Sequence, residues 1–160
     1  MEKTSNSVLL VDDDGGFRRV YKNLLEGEGL EVEVADDRPS ARSAFEGGHF
    51  DVVLLDLMLP PDGSVERGLE QLADFLSERP ATKVIVVSGA GDTQYMVRAV
   101  KQGAFDFLTK PIDPDVLLIV VERALTRVRL ERQVATLQDS LAEERPDDAM
   151  LGNSPAFEEA

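Results

Sequence analysis

Carboxylates dominate the chemistry open to this 160-residue sequence. An acidic run, Asp12-Asp13-Asp14, stands directly after the apolar Val8-Leu9-Leu10-Val11, and Asp56 closes Val52-Val53-Leu54-Leu55. Ser88 ends the run Lys83 to Val87, and Lys110-Pro111 follows Asp106 to Thr109. If these apolar segments lie side by side, several carboxylates, one hydroxyl and one ammonium converge from distant parts of the chain. Carboxylates a few ångströms apart repel one another, which costs stability unless a divalent cation neutralises them. Oxygen-only ligands suit Mg²⁺, which keeps some waters and leaves positions for phosphoryl oxygens. A lysine ammonium beside them can hold a phosphoryl group as a point charge, and a serine hydroxyl can hydrogen-bond another of its oxygens. The chemistry implied is phosphoryl transfer to or from an aspartate.

Each residue also has an ordinary reading. Asp14 can be a helix N-cap, and Asp56 a turn residue before the turn formers Pro60-Pro61-Asp62-Gly63. Ser88-Gly89 can be a plain loop and Lys110 an exposed lysine. It is the joint occurrence at four segment ends that points to a site.

Composition narrows the classes. The sequence has no cysteine and a single histidine, His49, which excludes disulfide frameworks, thiolate zinc and multi-histidine metal sites. Seventeen Lys and Arg stand against 31 Asp and Glu, a formal charge of −14 that repels nucleic-acid phosphates and anionic lipid. Proteins and cations are the expected partners, with no direct nucleic-acid contact by this segment. No apolar run approaches the roughly 20 residues of a membrane helix, and the polar start is not a secretory signal, so a cytoplasmic location is expected.

The elements that must position these residues are read from the periodicity. Ser7–Val11, Glu31–Ala35, Val52–Asp56, Lys83–Ser88 and Asp106–Thr109 predict five strands, and continuous Val/Ile/Leu runs predict burial on both faces. Amphipathic stretches at about Gly16–Glu28, Arg38–Glu46, Glu66–Glu78, Thr93–Gln102 and from Asp115 onward predict the intervening helices; Phe17, Val20, Tyr21, Leu24 and Leu25 share one face of the first. The fold class expected is α/β, a doubly wound five-stranded parallel sheet whose strand C-termini line one edge. That edge is where Asp12, Asp13, Asp56, Ser88 and Lys110 fall.

VLLVDDDGGFR, DVVLLDLMLPPDG, VIVVSGAGD and GAFDFLTKPID resemble the four signature segments of two-component response-regulator receiver domains, in order and spacing. The resemblance implies a flavodoxin-like receiver fold over residues 1–125. It makes Asp56 the phosphoacceptor and Asp12 and Asp13 the acidic pair for Mg²⁺, with Met58 lending a backbone carbonyl to the metal. It further implies Lys110 as the phosphate-binding lysine, Ser88 and Phe107 as switch residues, and a sensor histidine kinase as partner. Receivers usually turn directly after the phosphoacceptor; here Pro60 to Gly68 is longer, similar to receivers attached to regulators of exopolysaccharide and protein-sorting genes. Met58 and Ala90, two residues after the phosphoacceptor and the switch serine, imply a long-lived phosphorylated state because neither orients a hydrolytic water.

The last helix is expected to run from Asp115 to Leu141, about 40 Å, which exceeds what a receiver needs. Leu117, Val121, Ala124 and Val128 form one stripe, and Leu130, Val134, Leu137 and Leu141 a second one out of phase with it, read as a short coiled-coil seam. Residues 126–149 are thus a helical linker, broken by Pro146, and a homodimer through this helix and the face of the fourth helix, fifth strand and fifth helix is expected. Residues 150–160, with Gly152-Asn153-Ser154-Pro155, resemble the opening of the ATPase domain in sigma-54-dependent activators. Two rival readings stay open. One is a haloacid-dehalogenase-like phosphatase with Asp12 as nucleophile and Asp14 as acid; the other is an unphosphorylated pseudo-receiver that acts as an interaction module.

Overall fold

The computed structural model describes residues 6–60, 63–89 and 93–148. Strands β1 (Ser7–Val11), β2 (Glu31–Ala35), β3 (Val52–Asp56), β4 (Lys83–Ser88) and β5 (Asp106–Thr109) alternate with helices α1 (Gly15–Gly27), α2 (Arg38–Gly47), α3 (Val65–Glu78), α4 (Thr93–Gln102) and α5 (Pro114–Asp148). All strand pairs are parallel, in the order β2-β1-β3-β4-β5. The winding reverses between β1 and β3, so their C-terminal ends open a crevice that no crossover covers.

Strand pleat sorts the apolar runs into two cores. Leu9, Val11, Val53, Leu55, Val84 and Val86 face α2, α3 and α4, where Phe45 and Phe75 stack with ring centres 4.0 Å apart. Val8, Leu10, Val52, Leu54, Ile85 and Val87 face the other way, against Leu25 of α1 and Leu117, Val121 and Ala124 of α5. The three inner strands are therefore buried on both faces, as their continuous Val/Ile/Leu composition requires. The edge strand β2 differs, with Glu31 and Glu33 exposed.

Two local details depart from the sequence reading. Val20 is 56% exposed, so the buried stripe of α1 is narrower than its apolar spacing suggested. Helix α5 continues through Pro146 to Asp148. Proline's fixed φ is itself a helical value, and two residues before the helix end it costs one i→i−4 hydrogen bond and crowding of the carbonyl four residues back. Along α5, Leu117, Val121, Ala124 and Val128 are buried whereas Leu130, Val134, Leu137 and Leu141 are 51% to 63% exposed. The chain divides into two compact units, Met1–Val128 and Arg129–Ala160. The segment 150–160 lies outside the described residues. Among the described residues no helix is long and apolar enough to cross a membrane.

Gly68 shows how tightly α3 packs behind β3. A Cβ there would stand 2.1 Å from the Leu57 carbonyl oxygen and 2.8 Å from its carbon. Gly68→Ala gains about 1 kcal/mol of helix propensity but incurs roughly 3 kcal/mol of overpacking against backbone that cannot rotate away. The variant should be less stable by about 2 kcal/mol in urea denaturation; unchanged stability would mean that α3 can slide off β3.

Candidate functional site

The site begins with the ends of β1 and β3, adjacent in the sheet. Asp12 is fully buried: its backbone N–H donates to the Ala35 carbonyl at 3.1 Å, and its Oδ1 accepts from the Asp14 N–H at 2.9 Å. Arg18, one turn into α1, donates from Nη1 to the Asp12 carbonyl at 2.7 Å. Asp14 caps α1, its Oδ1 accepting from the Gly16 and Phe17 N–H groups at 2.9 and 3.2 Å. The ordinary reading is correct for Asp14, whose side chain is committed to the helix end. Asp13, between these two anchored neighbours, is exposed.

Asp56 is 5% exposed, and its Oδ1 accepts from the Met58 N–H at 2.9 Å. One carboxylate oxygen each from Asp12, Asp13 and Asp56 fall within 4.8 Å of one another. Lys110 reaches in from the end of β5, its Nζ 2.7 Å from Asp12 Oδ2 and 3.3 Å from Asp56 Oδ2. Its backbone N–H donates to the Ser88 carbonyl at 2.8 Å, and the Lys110-Pro111 bond is cis. Ser88 is buried at the end of β4 and stands opposite Thr109 in the β4–β5 register. The structure therefore brings Asp12, Asp13, Asp56 and Lys110 together, with Ser88 at the adjoining strand end. Met58 follows at the crevice rim, 45% exposed. Phe107 sits apart on β5 and is 37% exposed. Ala90 lies outside the described residues.

Electrostatics here are set by burial more than by repulsion between acids. Desolvation pushes the Asp56 carboxyl up to about 6, against the Met58 N–H bond and the Lys110 charge that favour ionisation; the Asp12 charge adds a smaller upward push. This corrects the expectation that mutual carboxylate repulsion leads. For Lys110, burial works against the charge, but the bond to Asp12 and the charges of Asp56 and Asp12 outweigh it, leaving the ammonium above its ordinary range.

The donor set fits a hard divalent cation. It is all oxygen, and it includes one exposed carboxylate through which an ion can enter. Lys110, at present shared between two carboxylates, is where an added anion would find its counter-charge.

Sequence reasoning missed two contributors. Phe17 places its ring face 4.7 Å from Lys110 Nζ, a cation–π contact that steadies the lysine from α1. Tyr21, one turn further, donates its hydroxyl to the Ile112 carbonyl at 2.6 Å and ties α1 to the chain after Lys110. Their spacing marked them as one apolar helix face; nothing local showed that the face ends at the lysine.

Comparison with known proteins agrees with this geometry. Residues 8–122 match the response regulator receiver domain. The chain is 34% identical over 134 residues to the nitrogen assimilation regulatory protein NtrX of Azorhizobium caulinodans, covering 84% of this chain and 29% of that protein. It is 38% identical over 136 residues to the C4-dicarboxylate transport transcriptional regulatory protein DctD of Pseudomonas aeruginosa, covering 85% and 29% respectively. The chain thus spans about three-tenths of the length of these relatives. Among solved structures, a CheY-like receiver domain protein from Methanospirillum hungatei superposes with a TM-score of 0.73 at 31% identity, covering 80% of this chain and 99% of that one. NtrX from Brucella abortus gives 0.76 at 35% identity over 84% of this chain and 30% of that one.

Proposed function

The chain belongs to the response regulator receiver domain family, a fold that serves as a phosphoacceptor switch, and we propose that Asp56 is its phosphoacceptor, charged by a sensor histidine kinase. The observation that carries this reading is the buried Asp56 carboxylate facing Asp12, Asp13 and the Lys110 ammonium across one crevice. Asp13, Asp56 and the Met58 carbonyl would hold Mg²⁺, with Asp12 supporting through water. When bound, the ion supplies positive charge that shields the nucleophile and the phosphoryl oxygens. An Asp56 oxygen attacks the phosphorus of a phosphohistidine in line, forming the O–P bond as the N–P bond breaks and the imidazole leaves. Lys110 turns its ammonium to the new phosphoryl oxygens, and Ser88 donates its hydroxyl to another.

Switching follows from where Ser88 lies. Drawn toward the phosphoryl group, it frees space into which the outward Phe107 ring can turn, and this changes the face of α4, β5 and α5. The exposed stripe Leu130, Val134, Leu137 and Leu141 then offers a seam for a second copy, so the receiver over 1–125 signals through the helical linker 126–149. In the full-length protein this linker would lead to a sigma-54 ATPase domain whose first residues are 150–160. The reading places the protein in the cytoplasm and gives the segment no catalytic turnover of its own. Capping by Asp14 speaks against the phosphatase alternative, whose acid it would be.

Incubation with a small acyl phosphate and Mg²⁺, followed by peptide mapping, tests the assignment. Stable label on Asp56 is expected; turnover with transient label on Asp12 would establish the phosphatase, and no label the interaction module. Label on Asp56 should also decay slowly, because the half-exposed Met58 thioether cannot orient a hydrolytic water. The double variant Met58→Asn, Ala90→Glu should lose label faster; equal decay would remove these positions from the rate.

A further inference from the structure

The turn after Asp56 is held from outside by one residue. Arg38, the first residue of α2, donates from Nη2 to the Leu57 carbonyl at 3.0 Å and to the Ser64 carbonyl at 2.8 Å. Its backbone N–H donates to the Pro60 carbonyl at 3.1 Å. Gln71, buried on α3, donates from Nε2 to the Arg38 carbonyl at 3.1 Å and so fixes the residue that does the gripping. Arg38 therefore holds the chain at 57, 60 and 64, on both sides of Met58.

From the inside the same stretch is fixed by the site. The Met58 N–H donates to Asp56 Oδ1 at 2.9 Å, so the peptide linking 57 and 58 is bound at its carbonyl by Arg38 and at its N–H by the phosphoacceptor. The Leu57 N–H donates to the Val87 carbonyl at 3.3 Å, and the Leu59 carbonyl accepts from the Gly63 N–H at 2.8 Å. The chain is thus anchored on both flanks of Met58.

We infer that Arg38 is a positioning residue of the phosphoacceptor site, whose guanidinium sets the Met58 carbonyl toward the divalent cation held by Asp13 and Asp56. The inference rests on the function proposed above. A guanidinium suits the task because its planar fork directs N–H groups to separate carbonyls at fixed angles, whereas a lysine offers a point charge on a flexible stem. Arg42, one turn further along α2, provides the contrast. It pairs with Glu46 at 2.8 Å and with Glu78 of α3 at 2.6 Å, tying the two helices without touching the turn.

The test compares the 160-residue chain with Arg38→Ala, Arg38→Lys and Arg42→Ala. Mg²⁺ affinity is measured by titration calorimetry, and the Mg²⁺ dependence of labelling by acetyl phosphate in parallel. Arg38→Ala should weaken Mg²⁺ binding roughly 10-fold, as loss of a group that orients a metal ligand does, with Arg38→Lys in between. Labelling of Arg38→Ala should return to near the wild-type rate at saturating Mg²⁺. Arg42→Ala should lower the melting temperature and leave the Mg²⁺ midpoint unmoved. Wild-type Mg²⁺ affinity in Arg38→Ala, or equal weakening in Arg42→Ala, overturns the inference while the function stands. A wild-type chain that takes no label on Asp56 overturns both. If Arg38→Ala does not fold, Arg38→Lys against Arg42→Ala decides by the same criterion.

Discussion

Asp56→Asn should take up no phosphoryl group, from a small donor or a kinase, and in metal-free buffer at pH 7 it should melt above the wild type. The first effect is a complete loss, since an amide oxygen is not a nucleophile toward phosphorus and no other buried carboxylate in the crevice has Asp56's contacts; Asp12 is committed to the Asp14 N–H and to Lys110. The second comes from burial, which raises the Asp56 carboxyl from its ordinary 3.8 to about 6. A raised carboxyl binds more protons folded than unfolded between those values, so stability falls as pH rises through that window and is level above it. The ionised group at pH 7 then costs at most about 3 kcal/mol relative to its neutral form, which asparagine imitates. The gain should be up to roughly 8 °C in melting temperature at pH 7 and should vanish as pH falls to about 4. A variant that still labels, or one whose advantage is the same at both pH values, would contradict the role given to this carboxylate.

Mg²⁺ should raise the melting temperature of the wild type and do little for Asp13→Ala. A ligand that binds only the folded chain stabilises it by RT ln(1 + [L]/Kd), about 2.7 kcal/mol at a hundredfold excess over Kd. Asp13 is the exposed member of the cluster, so its removal should leave the fold intact and take the metal response away. Metal-free and Mg²⁺-titrated thermal melts of the two chains measure this directly, and an equal shift in both would place the cation elsewhere.

Strand identity was legible because the apolar bursts are long, β-branched and separated by helical periodicity; β1, β3 and β4 could hardly be anything but inner strands. The convergence of Asp12, Asp56 and Lys110 followed from topology alone, since parallel strands put their C-termini on one edge. What could not be read depended on lateral packing. Val20 looked buried by spacing, yet α1 turns it outward. Arg38 entered only as the first residue of the second helix, because its partners at 57, 60 and 64 are distant along the chain and leave no trace in local sequence. The leading cause of the Asp56 shift was likewise hidden, because depth of burial belongs to the assembled crevice.

An open sheet has two unfinished margins, each able in principle to template a further strand from another molecule. At the β2 margin the chain carries Glu31 and Glu33 two residues apart, both exposed. Two copies docking β2 against β2 would bring four carboxylates to the spacing of a hydrogen-bonded ladder, and like charges opposite one another on adjacent strands oppose pairing. That charge works against two copies joining their sheets through β2, the margin that lies farthest from β5.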